Sequence, residues 1–161
     1  MRRLTLALSG LLMLAGTALS ADGWTRYLNP RYGYGVDIPP GFSPISESDN
    51  SDGGTSHSSD GQSELAVWGS NLLVDTLPSD VQSRIHSSED DGWQITYSKL
   101  TGKWASWSGE RDGRIFYARA IQLCQDDQAG YFQLEYPASE RQTFDPLVER
   151  LVKGFKHTIC E

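Results

Sequence analysis

His57, His86 and His157 are the three histidines of the chain, and histidine is the residue best suited to acid–base and metal chemistry near neutral pH. None of them lies at H-E-x-x-H or another metal-ligand spacing. His57 lies among serines and close to Asp60, so a serine–histidine–aspartate site would have to form in this polar segment. Such a site needs rigid support, which a polar segment does not promise. The sequence therefore predicts no catalytic residue, no bound metal and no cofactor.

The polar segment around residue 50 matches two functional motifs only in part. Ser48-Asp49-Asn50 has the S-D-N order of penicillin-binding enzymes, but the companion S-x-x-K and K-T-G elements are absent. If Gly53 is aligned with the glycine of a calcium-binding EF-hand loop, Ser48 and Ser59 occupy the two end positions that need acidic ligands. The segment is therefore interpreted as an ordinary solvated loop.

Tryptophans are the residues best suited to forming a binding surface. Trp104 and Trp107 lie three apart on a predicted strand, so their side chains point to opposite faces. One of them is expected in the core, while the other lies either under a helix or on an exposed aromatic platform for a partner or glycan. Trp68 has the same two interpretations. Trp104, Trp107 and Trp68 are therefore the candidates for a partner surface.

Cys124 and Cys160 are the two cysteines of the chain. In an oxidising compartment an even number of cysteines favours a disulfide, and we expect one between Cys124 and Cys160. Two free thiols are the alternative. A redox-active pair is the least favoured interpretation because the chain has no C-x-x-C motif.

The first residues have the order of a secretory signal peptide. Arg2 and Arg3 precede an apolar run over 4–14 and short side chains over 15–21. We expect cleavage after Ser20 or Ala21 and a periplasmic or secreted protein; a retained membrane anchor is the alternative. No later segment approaches the roughly twenty apolar residues of a membrane span.

The charge balance is acidic. The chain has 14 lysines and arginines against 21 aspartates and glutamates, a net charge of −7. Loss of Arg2 and Arg3 with the signal peptide leaves 12 against 21, a net charge of −9. Such a chain repels nucleic acid and anionic membranes, and it favours a protein partner with a basic face. The alternative is that the charge only keeps the protein soluble.

Residues 22–161 are predicted to form one α+β domain. Between Arg111 and Arg114, the Asp112-Gly113 pair predicts a tight hairpin. Short turns between consecutive strands make the sheet antiparallel, and apolar residues on both faces of 115–123 predict helices on both sides. The predicted elements are strands at 32–38, 65–69, 93–100, 103–111, 114–124 and 131–136, helices at 76–88 and from Asp145 onwards, and a mobile loop at 43–63.

The glycines, aromatic residues and turns follow an order that resembles a group of small secreted bacterial proteins. The shared residues are, in chain order, Tyr27-x-Asn29-x-Arg31-Tyr32-Gly33, Val36-Asp37-Ile38-Pro39-x-Gly41-Phe42, Ser59-Asp60-Gly61, Leu65-x-Val67-x-Gly69, Trp107-Ser108-Gly109, Ile115-Phe116-Tyr117, Tyr136-Pro137 and Phe144-Asp145-Pro146-Leu147-Val148. The order of elements is also similar to the PsbP-like fold. This resemblance implies an antiparallel sheet covered by helices, an α/β/α sandwich, in a protein that binds partners and is not an enzyme.

Together these observations favour an exported, non-enzymatic binding or accessory protein of the bacterial cell envelope. One alternative is an immunity or inhibitor protein that caps a periplasmic toxin, with an acidic face against a basic one. The second alternative is a hydrolase without a recognisable motif. A binding protein predicts an exposed aromatic patch, whereas an enzyme predicts a pocket where histidine and carboxylate converge.

Overall fold

A computed structural model describes residues 22–72 and 76–158. The predicted signal peptide and Cys160 lie outside these residues, so the cleavage and the disulfide stay predictions. The described elements are, in chain order, β1 (Thr25–Asn29), β2 (Tyr34–Ile38), β3 (Ser46–Glu47), β4 (Gly53–His57), β5 (Glu64–Asn71), α1 (Leu77–Asp90), β6 (Gln94–Leu100), β7 (Trp104–Arg111), β8 (Arg114–Gln122), β9 (Gln128–Pro137), a 3₁₀ turn (Ala138–Glu140), α2 (Arg141–Gly154) and β10 (Lys156–His157).

The main sheet is antiparallel, with seven strands in the order β3-β4-β5-β9-β8-β7-β6 among the described residues. A smaller sheet has the order β1-β2-β10. The predicted hairpin between β7 and β8 is confirmed: Asp112 and Gly113 have φ of 49° and 73°, as a two-residue turn with both central residues left-handed requires. The α+β fold with an antiparallel sheet between helices is confirmed.

Helix α1 covers one face of the main sheet. The Thr76 side chain caps its first turn by accepting from the Ser79 amide at 3.4 Å, and Leu77, Val81 and Ile85 form its buried stripe. The sheet residues in this core cluster include four alanines, which let a helix approach the strands closely, and large aromatic rings fill the remaining space. The buried sheet residues are Ala105, Trp107, Phe116, Ala118, Ala120, Ala129 and Tyr131.

Helix α2 covers the other face, and its predicted start at Asp145 is wrong. The helix begins at Arg141, directly after the 3₁₀ turn, and Pro146 lies inside it. A proline there removes one helical hydrogen bond. The earlier start buries Phe144, whose ring stacks on Tyr136 with centroids 4.5 Å apart, and this contact offsets the loss.

The interpretation of 43–63 as a loop is wrong in part, because the segment contains β3 and β4. It adds these two strands to the sheet beside β5. Polar groups of the segment are satisfied within it and by β2: buried Ser56 donates to the Ser43 carbonyl at 2.5 Å, and the Tyr34 hydroxyl of β2 donates to the Asp52 carbonyl at 2.8 Å. Because the segment is polar, its sequence did not predict these two short strands near the sheet edge.

Candidate functional site

The two helices are offset across the main sheet, and this offset leaves part of one face open. Helix α1 packs over β6, β7 and β8, whereas α2 packs over β2, β9 and β8. The α2 side of β6 and β7 therefore lies beyond the helix that covers its neighbours. A sheet face without a covering layer is a candidate binding surface when it carries large apolar groups.

Cross-strand register identifies the side chains on this open face. Tyr97 pairs with Ser108, which pairs with Tyr117, and these three side chains form one row. A second row consists of Lys99, Ser106 and Arg119. Trp104 precedes Ser106 by two residues on β7 and so shares its face. We call these residues the open face: Tyr97, Lys99, Trp104, Ser106, Ser108, Tyr117 and Arg119.

Arg119 lies at the centre of the open face. Its guanidinium carbon lies 4.1 Å from the centroid of the Trp104 ring, and its Nη1 donates to Ser106 Oγ at 3.0 Å. Lys99 Nζ lies 5.4 Å from the same ring centroid. Two cations on one indole gain cation–π attraction, yet they repel each other unless an anion lies close by.

The guanidinium of Arg119 is incompletely satisfied. Its Nε is buried and has no hydrogen-bond partner among the described residues. Burial lowers the pKa of the Arg119 guanidinium, although arginine stays protonated at any physiological pH. A buried donor without an acceptor costs roughly 1–3 kcal/mol of folding free energy. Fold stability alone therefore does not account for an arginine at this position.

Cations without a carboxylate partner gather around Trp104. Arg119, Lys99, Lys103 and Lys156 form no ion pair within the described chain, and the same holds elsewhere only for Arg31 and Arg111. Six cations do have such a partner: Arg26, Arg84, Arg114, Arg141, Arg150 and Lys153. An acidic protein thus has a local basic patch around Trp104.

Two cavities lie along the open face. One, of about 490 Å³, has an apolar floor that includes Ile121, Leu123 and Phe155 and is also lined by Trp104 and Arg119. Lysines 103 and 156 line it as well, together with Asp126, whose carboxylate accepts from the Gln122 side-chain amide at 3.3 Å.

The second cavity, of about 700 Å³, is the one that α2 lines on one side. Tyr97, Tyr117, Val148 and Val152 are among its lining residues. Tyr117 and Arg119 are alternate residues of β8, so the two cavities follow one another along this strand. We call the pair the α2 groove and define it by Tyr97, Trp104, Tyr117, Arg119, Val148 and Phe155. Both volumes fall in the range of ligand sites in proteins.

The tryptophans predicted as a partner surface separate into different environments. Trp107 is 2% exposed in the core under α1, so including it in a partner surface was wrong. Trp104 and Trp107 do lie on opposite faces of β7, as predicted. Trp68 is half-buried on the α1 side, stacked on Tyr131 with centroids 5.2 Å apart. Of the three, only Trp104 belongs to the α2 groove.

Two of the three histidines lie away from the α2 groove, whereas His157 lines the 490 Å³ cavity, as Asp126 does. His57 Nδ1 lies 3.6 Å from Glu64 Oε2, and both side chains are about half exposed, at 52% and 49%. His86 lies on the exposed side of α1 near Glu89 and Asp90. Across 22–72 and 76–158 no three histidine, cysteine or acidic side chains group closely enough to hold a metal ion.

Two further residues bear on the site. Cys124 lines the 490 Å³ cavity, so a disulfide to Cys160 would place the end of the chain beside the groove.

Arg119 was not predicted as a site residue from the sequence. The available signal was its alternation with Tyr117 and Ile121 on β8, which puts a charged residue at a core-facing strand position.

Comparison with known proteins identifies the fold of the chain. No protein-family model matches the chain, and no curated protein matches it. Among solved structures, cyanobacterial PsbP (CyanoP) from Synechocystis sp. PCC 6803 superposes with a TM-score of 0.67 at 14% identity, over 92% of this chain and 99% of that one. The Ran-binding protein Mog1p of Saccharomyces cerevisiae superposes with a TM-score of 0.62 at 11% identity, over 85% of this chain and 96% of that one.

The chain has the PsbP-like fold. This confirms the resemblance inferred from the order of elements. Neither helix that the structure describes has the length and apolar character needed to cross a bilayer. Identities this low carry over the fold and not the binding residues, so the α2 groove is argued from this chain's own side chains.

Proposed function

We propose that this chain is an exported, non-enzymatic binding or accessory protein of the bacterial cell envelope, and that the α2 groove is its binding surface. The observation that carries the proposal is the Arg119–Trp104 stack, a cation with no carboxylate partner among the described residues, held in an open, aromatic groove. Aromatic and arginine side chains are the groups that most often dominate binding energy at interfaces. The fold is compatible with such a role, because Mog1p is a Ran-binding protein.

Export is supported by the sequence of residues 1–21, which has the charged, apolar and small-residue regions of a signal peptide. We expect the full chain, expressed in a Gram-negative host, to be recovered in the periplasmic fraction. Mass spectrometry of the intact protein then identifies a new N-terminus at Ala21 or Asp22. Recovery of the uncleaved chain from the cytoplasm would contradict this part of the proposal.

A hydrolase has less support than a binding protein. The pair formed by His57 and Glu64 is exposed on both sides, whereas a catalytic base is usually held and partly desolvated by its surroundings. An inhibitor with an acidic face would also need another surface, because the Trp104 end of the α2 groove is basic. Such a partner would have to contact acidic residues elsewhere, such as Glu89, Asp90 and Asp91 at the end of α1.

The binding role can be tested by capture from a periplasmic extract on the immobilised mature protein. The groove variant is Tyr97→Ala combined with Trp104→Ala, since these side chains supply aromatic area next to Arg119. Matched controls are Trp68→Ala on the α1 side and Leu28→Ser, which removes an exposed apolar side chain from β1. We expect stoichiometric capture of a partner by the wild type and by both controls, and its loss with the groove variant. Equal capture by all proteins would contradict the assignment of the groove.

A further inference from the structure

The charges of the α2 groove are unevenly distributed along its length. At the end near the start of α2, Glu110 forms an ion pair with Arg141. Farther along the helix, Glu149 pairs with Lys153 at 3.8 Å. At the Trp104 end, by contrast, Arg119 and Lys99 stack over one ring without a carboxylate partner in the described chain. The other end is lined by three carboxylates, of Glu110, Asp145 and Glu149, against two cations, Arg141 and Lys153, so an occupant that complements the groove is anionic only at the Trp104 end.

The shape of the groove favours a polypeptide over a small molecule. Its floor follows β8 and the residue after it, from Ile115 to Leu123, a distance of about 26 Å at the usual rise per strand residue. A small ligand would fill one of the two cavities and leave the other open. Tyr97, 44% exposed, and Tyr117 continue the aromatic surface away from Trp104, so an extended segment could place apolar side chains in both cavities.

Arg119 is oriented for a carboxylate. The Trp104 ring holds its guanidinium plane on one side, and the Ser106 hydroxyl accepts from one Nη1 hydrogen. Because the Nε–H is buried and one Nη1 hydrogen is taken by Ser106, the remaining Nη hydrogens are those that can meet a carboxylate, and a pre-oriented guanidinium loses less entropy on binding. Lys99 adds a second positive charge near the same ring.

We propose that the α2 groove binds an extended acidic segment of a partner protein, with an aspartate or glutamate side chain of the segment on Arg119 and apolar side chains in the two cavities. This inference deepens the proposed function and rests on it. It reverses the sign expected from net charge alone, since the partner is acidic where it touches this acidic protein.

Two peptides of equal length and shape test this inference, Ac-Leu-Glu-Phe-Glu-Leu-NH₂ and Ac-Leu-Gln-Phe-Gln-Leu-NH₂. Each is titrated into the ¹⁵N-labelled mature protein, and the indole N–H signal of Trp104, assigned by its loss in Trp104→Phe, is followed. We expect the Glu peptide to bind about tenfold more tightly than the Gln peptide, because a charge-assisted contact to arginine is lost in the latter. Added salt should reduce the difference.

The matched variants are Arg119→Gln and Arg111→Gln. Arg111 also stacks on an indole, 4.5 Å from the centroid of Trp93, and has no carboxylate partner in the described chain, but it lies outside the groove. Arg119→Gln should abolish the preference for the Glu peptide and leave the fold intact, as judged by the remaining backbone signals. Arg111→Gln should keep the preference.

Equal affinity for the two peptides, or no shift of the Trp104 signal with either of them, would overturn the inference. Capture from the periplasmic extract separates this inference from the broader proposed function. If Arg119→Gln still captures the periplasmic partner that the Tyr97→Ala and Trp104→Ala double variant loses, the groove binds a partner but not through an acidic segment. If the double variant also captures that partner, both proposals fail.

Discussion

Arginines stack on aromatic rings on both faces of the main sheet, but they are satisfied differently. On the α1 side, Arg84 lies 4.2 Å from the centroid of Tyr131 and donates to Asp80 at 2.6 Å, and the Tyr131 hydroxyl donates to the same carboxylate at 2.7 Å. On the α2 side, Arg119 lies 4.1 Å from the centroid of Trp104, with a serine as its hydrogen-bond partner and no carboxylate among the described residues.

This difference indicates which face serves folding and which serves binding. The charge of Arg84 is neutralised by a carboxylate of its own protein, whereas Arg119 has no such partner among the described residues and keeps its charge for a ligand. Proteins commonly break local rules of satisfaction where they bind partners, at a cost in stability that the rest of the fold offsets. The α1 side is therefore interpreted as the structural face and the α2 groove as the functional one.

The largest expected effect separates two tryptophans of one strand. Trp107→Ala should lower the free energy of unfolding by about 3–5 kcal/mol, because a fully buried ring leaves a cavity under α1. Trp104→Ala should cost only ~1–2 kcal/mol, since its ring is half-buried and faces the groove. Urea unfolding followed by circular dichroism measures both. Similar losses for the two variants would mean that Trp104 is as structural as Trp107.

How far the sequence predicts this molecule depends on which signal a region carries. Period-two alternation predicted β8 with apolar residues on both faces, and Asp112-Gly113 predicted the hairpin, because both signals are local. The start of α2 was missed, since the tertiary contact between Phe144 and Tyr136 decides it and proline alone suggested a later one. Strands β3 and β4 were missed because their residues are polar and satisfy one another only once folded.

The candidate site was predicted less well than the fold. Trp104 was among the residues considered, but nothing local distinguished it from Trp107 beyond the alternation of faces. Arg119 was not considered, because what distinguishes it is that no carboxylate of the described residues forms an ion pair with it. Such a property belongs to the assembled sheet and has no counterpart in residue spacing.

Alkaline pH should lower the stability of the fold through buried tyrosines on both faces of the main sheet. Burial is the largest cause that raises the pKa of Tyr131 on the α1 side and of Tyr34 on the α2 side above the ordinary 10.0. A raised pKa in the folded state contributes stability that is complete below pH 10 and is lost as the pH rises above it. Each of these tyrosines should lower the free energy of unfolding by up to about 1.4 kcal/mol per pH unit above 10.

Urea midpoints between about pH 9 and pH 11 measure this loss, with absorbance near 295 nm as the readout of phenolate. Tyr131→Phe and Tyr34→Phe should each flatten the decline, and their combination should flatten it further. A decline with an unchanged slope in the double variant would show that other groups cause the alkaline unfolding.

The smallest expected effect on stability is also the one that most sharply tests the comparison of the two faces. Arg119→Met keeps an unbranched apolar side chain as far as the Nε position, but it removes the guanidinium that lies over Trp104, the charge and the buried Nε donor, which has no acceptor in the described chain. Removing an unsatisfied donor should leave the free energy of unfolding unchanged or raise it by roughly 1 kcal/mol. Arg84→Met should instead lower it by roughly 1–2 kcal/mol, because the carboxylate of Asp80 loses a charged partner. If Arg119→Met were the more damaging of the two, Arg119 would be a structural residue and the α2 groove would lose the feature that marks it as a binding surface.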